Sequence, residues 1–232
     1  MDNLKPLKII KIGGNVIDDA AALSSFLNLF SSIEGPKILV HGGGKSATAL
    51  AQQTGLEVQM VDGRRITDAA TLELITMVYA GKINKTIVAQ LQALDCNALG
   101  FTGADANTIT SIKRPVSSID YGFVGDVKNV ETSILEVLLN QGVSPVFCAI
   151  THDDNGQLLN TNADTIASEL AIAFATKFNV ELYYCFEKKG VLKNINDDDS
   201  VLQTITKSSY KKLLNAQLIF SGMLPKLNNC FH

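Results

Sequence analysis

Short apolar runs alternate along the chain with longer stretches whose apolar positions recur every three or four residues, and glycines mark the joins. The β-branched run Leu7 to Ile12 ends at Gly13-Gly14, as a strand entering a tight turn does. From about Asp18 to Ile33, Ala22, Leu23, Phe26, Leu27 and Phe30 fall on one helical face. The same grammar then returns: Lys37 to Val40 reads as a strand, His41 to Gly44 as a turn, and Lys45 to Thr54 as a helix stopped by Gly55. Val58 to Val61 predicts a short strand. Thr67-Asp68 offers a cap for a long helix reaching Leu94 with a break near Gly81. Cys96 to Phe101 is a further strand, and Thr108 to Asp126 alternates apolar and polar residues as an antiparallel hairpin does. A helix is expected over Glu131 to Asn140, then the apolar strand Val143 to Ile150. Asn160 to Asp164 opens a helix over Thr165 to Lys177, Val180 to Phe186 is another strand, and helices close the chain near Ser208 to Gln217 and from Ser221 to His232. Strands alternating with helices predict an α/β protein, a three-layer αβα sandwich on a central, mainly parallel sheet. Fold logic places a border between two halves near residue 150.

Composition narrows the function classes. Of 232 residues, 46% are hydrophobic and 19% charged, and 20 Lys+Arg against 23 Asp+Glu leave a net charge of −3, with no long basic run. That balance argues against a nucleic-acid surface and still permits a local basic pocket for a small anion. No segment approaches the roughly 20 apolar residues a bilayer requires, so neither a membrane nor export is expected. Cys96, Cys148, Cys185 and Cys230 form no Cys-x-x-Cys pair and His41, His152 and His232 are scattered, so a reducing cytoplasm is expected and no protein-held metal site.

The strongest local signal is the pair of glycine-rich turns, Lys11-Ile-Gly-Gly14 and His41-Gly-Gly-Gly44, leaving two early strands. Glycine lets backbone N–H groups converge on an anion, and the helix that follows adds its partial positive charge. Lys11, at the end of an otherwise buried strand, calls for an anionic partner. Gly43-Gly-Lys-Ser46 is not a Walker motif, since position 39 is Leu39 rather than glycine, and neither turn gives the Gly-x-Gly-x-x-Gly of a dinucleotide fold. Arg65, beside Arg64 and just before Thr67, has the planar fork that grips a carboxylate. Asn160 and Asp164 place an amide and a carboxylate at a helix start, where ordinary capping is an equal alternative. Lys226 stands in the first turn of the last helix, against the dipole preference, which an anionic ligand there would explain.

Taken in order, Lys11-Ile-Gly-Gly14, His41-Gly-Gly-Gly44, Gly63-Arg-Arg-Ile-Thr67, Asn160-Thr-Asn-Ala-Asp164 and Gly222-Met-Leu-Pro-Lys226 resemble the amino acid kinase superfamily, and within it most closely the acetylglutamate kinases of arginine biosynthesis. The resemblance covers essentially the whole chain. It implies that residues 1–150 bind the acyl-glutamate and dimerise while residues 151–232 bind ATP. It assigns Lys11 and Lys226 to neutralising the transferring phosphoryl group and Asp164 to orienting both. Gly42, Gly43, Arg65 and Asn160 then hold the acyl-glutamate, and Gly13, Gly14, Lys189, Gly190 and Gly222 line the nucleotide side. The implied cofactor is ATP with Mg²⁺ held mainly by its phosphates, and the implied assembly is a cytoplasmic homodimer. A glutamate side chain, with a pKa of about 4.3, is already an anion at neutral pH, so attack on the γ-phosphorus needs no general base; the task is to balance charge.

The sequence departs from the family pattern in three places. Glu187-Lys-Lys-Gly-Val191 stands where Asp-Val-x-Gly-Val is common, Arg64 stands where leucine is frequent, and the family pattern continues past His232. The chain also begins shortly before Lys11, without the N-terminal helix of the arginine-inhibited hexamers, which implies a dimer insensitive to arginine. Another superfamily member, such as a glutamate 5-kinase, and a non-catalytic regulatory protein of the same fold are the alternatives; retention of Lys11, Lys226 and Asp164 favours a catalyst. Acetyl and succinyl acyl groups stay open, with Arg64 or a neighbouring lysine a candidate wall for the extra carboxylate.

Overall fold

In the computed structural model, residues 4–61, 64–194, 196–215 and 223–231 are described. They form two compact units, 1–185 and 186–232. In the first, β1 (Pro6–Ile12) leads through Gly13 into a short helix α1 (Gly14–Asp18) and then α2 (Ala20–Ser32), whose N-terminus Asp19 caps by accepting from the amides of Ala21 and Ala22. Next come β2 (Lys37–His41), α3 (Gly44–Gln53), and the two-residue strands β3 (Met60–Val61) and β4 (Arg64–Arg65), which pair antiparallel. Gly55, at φ +72°, ends α3 in a conformation that glycine adopts freely.

The long helix expected from residue 67 onward is present without a break. It runs as α4 (Ala69–Thr76), a π-helical segment (Met77–Ile83) around Gly81, and α5 (Asn84–Gln92). Of the two candidate caps, Asp68 accepts from the Thr71 amide, while Thr67 is turned inward and fully buried. After β5 (Ala98–Phe101) come β6 (Ile109–Lys113) and β7 (Gly125–Val130), the expected antiparallel pair. Helix α6 (Ser133–Asn140) follows, and the apolar run expected as one strand divides into β8 (Ser144–Phe147) and β9 (Ile150–His152), which enter different sheets. Then β10 (Leu158–Asn160), α7 (Ala163–Phe174) and β11 (Asn179–Cys185) complete the unit.

The central sheet has the order β11-β1-β2-β8-β5 with every pairing parallel, and β10-β9-β6-β7 form a second, mixed sheet. Helices flank the central sheet, as the αβα expectation requires. Every residue of β2 is buried, the pattern of a parallel strand covered on both faces. Ile9, Ile12, Ile38, Leu39, Phe147, Ile166 and Phe174 stand at the centre of the core. Because β11 pairs with β1 and α7 packs on both, residues past 150 remain part of the first unit.

The second unit contains α8 (Lys207–Asn215) and α9 (Leu224–Cys230). Its own small core is Tyr210 and Leu227 with Val191, Ile205, Leu213, Met223 and Phe231 around them. The Tyr210 and Phe231 rings stack at 4.8 Å, and the Tyr210 hydroxyl donates to Asn228 Oδ1 at 2.6 Å.

Candidate active site

Register places the two glycine turns side by side. β1 and β2 run parallel with Ile12 opposite His41, so Gly13-Gly14 and Gly42-Gly43-Gly44 leave the same edge of the sheet together. This is the carboxyl edge, where open α/β sheets bind ligands. Gly13 is anchored there by its amide, which donates to the Cys185 carbonyl at 3.2 Å.

Lys11 is 8% exposed, and its Nζ lies 2.6 Å from Oδ1 of Asp164, which is 5% exposed. A buried ammonium requires such a partner, and removing one member of a buried pair is costly. Asp164 is the second residue of α7, where the helix N-terminus favours a carboxylate. Its carbonyl accepts from the Tyr184 hydroxyl at 3.1 Å and from Ser168 Oγ at 3.3 Å. The cap of α7 is neither Asn160 nor Asp164 but Asn162, whose Oδ1 accepts from the amides of Asp164 and Thr165. Capping therefore accounts for neither of the two residues singled out from sequence.

Arg65 is buried, and its Nη2 donates to the Gly44 carbonyl at 3.0 Å and to Thr48 Oγ1 at 2.8 Å. The guanidinium is thereby fixed at the start of α3, beside the second glycine turn. Its Nη1 is buried and has no hydrogen-bond partner among the described residues. A buried, charged donor left open is costly unless a ligand fills it. The phenol of Tyr79 is pushed upward in pKa by burial, and the charge of Arg65 opposes that shift. Asn160 Nδ2 donates to Thr67 Oγ1 at 3.0 Å, which joins the end of β10 to the segment carrying Arg65.

Gly42 and Gly43, both expected at the substrate, answer to different constraints. A Cβ on Gly43 would sit 2.5 Å from Ile83 Cδ1 and 2.8 Å from the Tyr79 ring, both on the π-helical segment. On Gly42 the nearest atom would be the Ala163 Cβ, at 4.0 Å. Gly43 is thus required by packing, while Gly42 faces space.

Beneath this turn is a buried polar group that the sequence did not announce. His41 is fully buried; its Nδ1 donates to the Gly42 carbonyl at 2.8 Å, and Nε2 accepts from Asn84 Nδ2 at 3.1 Å. Asn84 also donates to the Val146 carbonyl at 2.8 Å and accepts from Lys85 at 3.2 Å. Burial first, and then the Lys85 charge, push the His41 pKa down to about 4, against the backbone hydrogen bond to Gly42 that raises it. A Cβ on Gly100 would lie 1.9 Å from the Asn84 amide oxygen, so that glycine makes the room the network occupies. Asn84 and Thr48 carry no motif in the sequence, and Thr67 closes one without its role being marked; their partners are supplied by other strands and helices.

Of the residues expected on the nucleotide side, Gly13 and Gly14 belong to the first unit and Lys189 and Gly190 to the second. Lys189 pairs with Asp199 at 2.6 Å and Lys188 with Asp198 at 2.7 Å, so the acidic tract that follows holds the two lysines that precede Gly190. A Cβ on Gly190 would stand 2.9 Å from Val201 Cγ1, which gives this glycine a packing reason. Lys226 is the third residue of α9, partly exposed, and Gly222 lies outside the described residues. Among the described residues no group of three His, Cys, Asp or Glu side chains is arranged to hold a metal ion.

A parallel α/β sheet whose two glycine turns flank a buried lysine–carboxylate pair and an arginine with an open nitrogen is a site for managing anions. Residues 6–232 match the model of the amino acid kinase family, and the chain belongs to that family. It is 57% identical over 230 residues to the acetylglutamate kinase of Cytophaga hutchinsonii, covering 99% of this chain and 87% of the relative. The acetylglutamate kinase of Phocaeicola vulgatus is 56% identical over 225 residues, covering 97% and 88%. Among solved structures, smu.665 from Streptococcus mutans superposes with a TM-score of 0.81 at 24% identity, over 96% of this chain and 88% of that one, a likeness of fold.

Proposed function

We infer that this chain is a kinase that transfers the γ-phosphoryl group of ATP to the γ-carboxylate of N-acetyl-L-glutamate, giving the acyl phosphate in arginine biosynthesis. The observation that carries the reading is the buried Lys11–Asp164 pair at the edge shared by the two glycine turns, beside the open Nη1 of Arg65. The nucleophile is a carboxylate and already anionic, so no general base is needed, and the neutral, buried His41 is suited to support rather than to proton transfer. Positive charge aimed at the transferring phosphoryl group is the requirement, and it acts most strongly where water is excluded.

In this reading Lys11 and Lys226 balance the phosphoryl charge and Asp164 orients Lys11. Gly42, Gly43, Arg65 and Asn160 hold the acyl-glutamate, Arg65 taking the α-carboxylate. Gly13, Gly14, Lys189, Gly190 and Gly222 serve the nucleotide, and residues 1–150 and 151–232 divide the two substrates. Mg²⁺ held by the nucleotide phosphates would supply further neutralisation. The protein acts as a cytoplasmic homodimer on small molecules, with neither nucleic acid nor membrane as partner; the family resemblance supports this, and free Cys96, Cys148, Cys185 and Cys230 fit a reducing compartment. Arg64, exposed on β4, leaves the succinyl group as a competing acyl substituent.

The test is hydroxamate trapping of the acyl phosphate with ATP and, in parallel, N-acetyl-, N-succinyl- and free L-glutamate. Turnover of N-acetylglutamate above the other two is expected. Preference for free glutamate would favour a glutamate 5-kinase-like activity, and inactivity on all three would remove the kinase assignment.

A further inference from the structure

We propose that Thr67 is a positioning residue for the acyl-glutamate subsite, its buried hydroxyl tying the Asn160 side chain to the backbone of Arg65 so that one residue sets both ligand-facing groups. The inference rests on the reading of Arg65 and Asn160 given above.

Thr67 has no exposed surface. Its Oγ1 donates to the Arg65 carbonyl at 3.2 Å and accepts from Asn160 Nδ2 at 3.0 Å. A hydroxyl has a single hydrogen, and with that hydrogen committed to Arg65 the Asn160 amide must turn its NH₂ toward Thr67. The carboxamide oxygen is then free to accept from a ligand. Arg65 Nη1, buried and open, is free to donate to one. An acceptor for an N–H and a charged donor for a carboxylate, held from one hydroxyl, match the neighbouring amide nitrogen and α-carboxylate of an N-acylated amino acid.

The backbone gives the tether a rigid base. The Thr67 amide donates to the Tyr121 carbonyl at 2.9 Å, the Phe123 amide donates to the Thr67 carbonyl at 2.7 Å, and the Asn160 amide donates to the Phe123 carbonyl at 2.9 Å. Residues 121–123 thus form a strip to which both Thr67 and Asn160 are fixed. Gly122 permits it: at φ +72° a Cβ there would stand 2.2 Å from the Thr67 carbonyl oxygen. Two segments 93 residues apart are brought into register, and the hydroxyl closes the link between their side chains.

A threonine that served only packing would behave differently from one that orients two ligands. Thr67→Val keeps the shape and removes the hydroxyl; Thr67→Ser keeps the hydroxyl and removes the methyl. The expected result is a KM for N-acetylglutamate raised roughly ten-fold in Thr67→Val, the loss of about one good hydrogen bond. Its kcat and its KM for ATP should stay within about two-fold, and Thr67→Ser should keep the wild-type KM. Equal KM shifts in the two variants, or a fall in melting temperature with KM unmoved, would overturn the proposal. Should Thr67→Val fail to fold, Thr67→Ala carries the same expectation and the same refutation. Arg65→Ala is measured alongside. If it raises KM while the hydroxyl-free variants do not, the tether is wrong and the subsite stands; if it leaves KM unchanged, the subsite itself is misassigned.

Discussion

Lys11 shows how one residue constrains a site. A lysine inside a buried parallel strand contradicts the apolar character of its neighbours, and the contradiction is resolved by the Asp164 carboxylate 2.6 Å away. That much was legible: the lysine's position called for an anion, although which carboxylate would answer could be read only from family resemblance. The His41 network was not legible, because its partners Asn84, Gly100 and Val146 come from separate elements and no spacing links them. It has a consequence that can be measured. Folded His41 titrates near pH 4 and an unfolded histidine near 6.5, so as pH falls the unfolded chain takes up the proton first. The stability this contributes, about 3 kcal/mol, is complete above roughly pH 6.5 and lost progressively as pH falls to about 4. Urea denaturation at pH 7 and pH 5 should show the wild type losing stability with a component that His41→Gln lacks; identical pH slopes would contradict the burial of a neutral ring.

At the scale of elements, the glycine turns were readable because glycine runs at strand ends have few other uses, and register alone sets β1 and β2 edge to edge. The helix from α4 to α5 was read with a break at Gly81, and a π-helical turn stands there instead. Helical periodicity cannot distinguish the two, since the extra residue of a π turn shifts the face without interrupting the hydrogen-bonded path. That shift has a visible effect: Tyr79 and Ile83 press on Gly43, and Tyr79 faces Arg65. The two glycines should therefore fail in different ways. Gly43→Ala is expected to lower the melting temperature and the activity together, because its Cβ meets side chains at 2.5 and 2.8 Å. Gly42→Ala should keep a near wild-type melting curve and lose activity alone, since its Cβ enters space that a ligand would use. Melting curves paired with initial rates decide it, and equal thermal losses in both would remove Gly42 from the substrate path.

The whole chain divides into compact units after residue 185, because β11 completes the sheet begun by β1. The order of βα units had made the parallel sheet legible; the division had no mark in composition, since no linker or low-complexity segment precedes it. Every residue assigned to the acyl-glutamate lies in the first unit, together with Lys11 and Asp164, while Lys189, Gly190 and Lys226 belong to the second. In the proposed reaction a carboxylate attacks a phosphoryl group whose charge Lys11 helps to balance in the transition state. Steady-state kinetics of Lys11→Ala with N-acetylglutamate and ATP test it most directly. The expected kcat is lower by roughly two orders of magnitude or more, the loss of about 3 kcal/mol of transition-state stabilisation, with KM values changed little. An unchanged kcat with raised KM would make Lys11 a binding residue and contradict it.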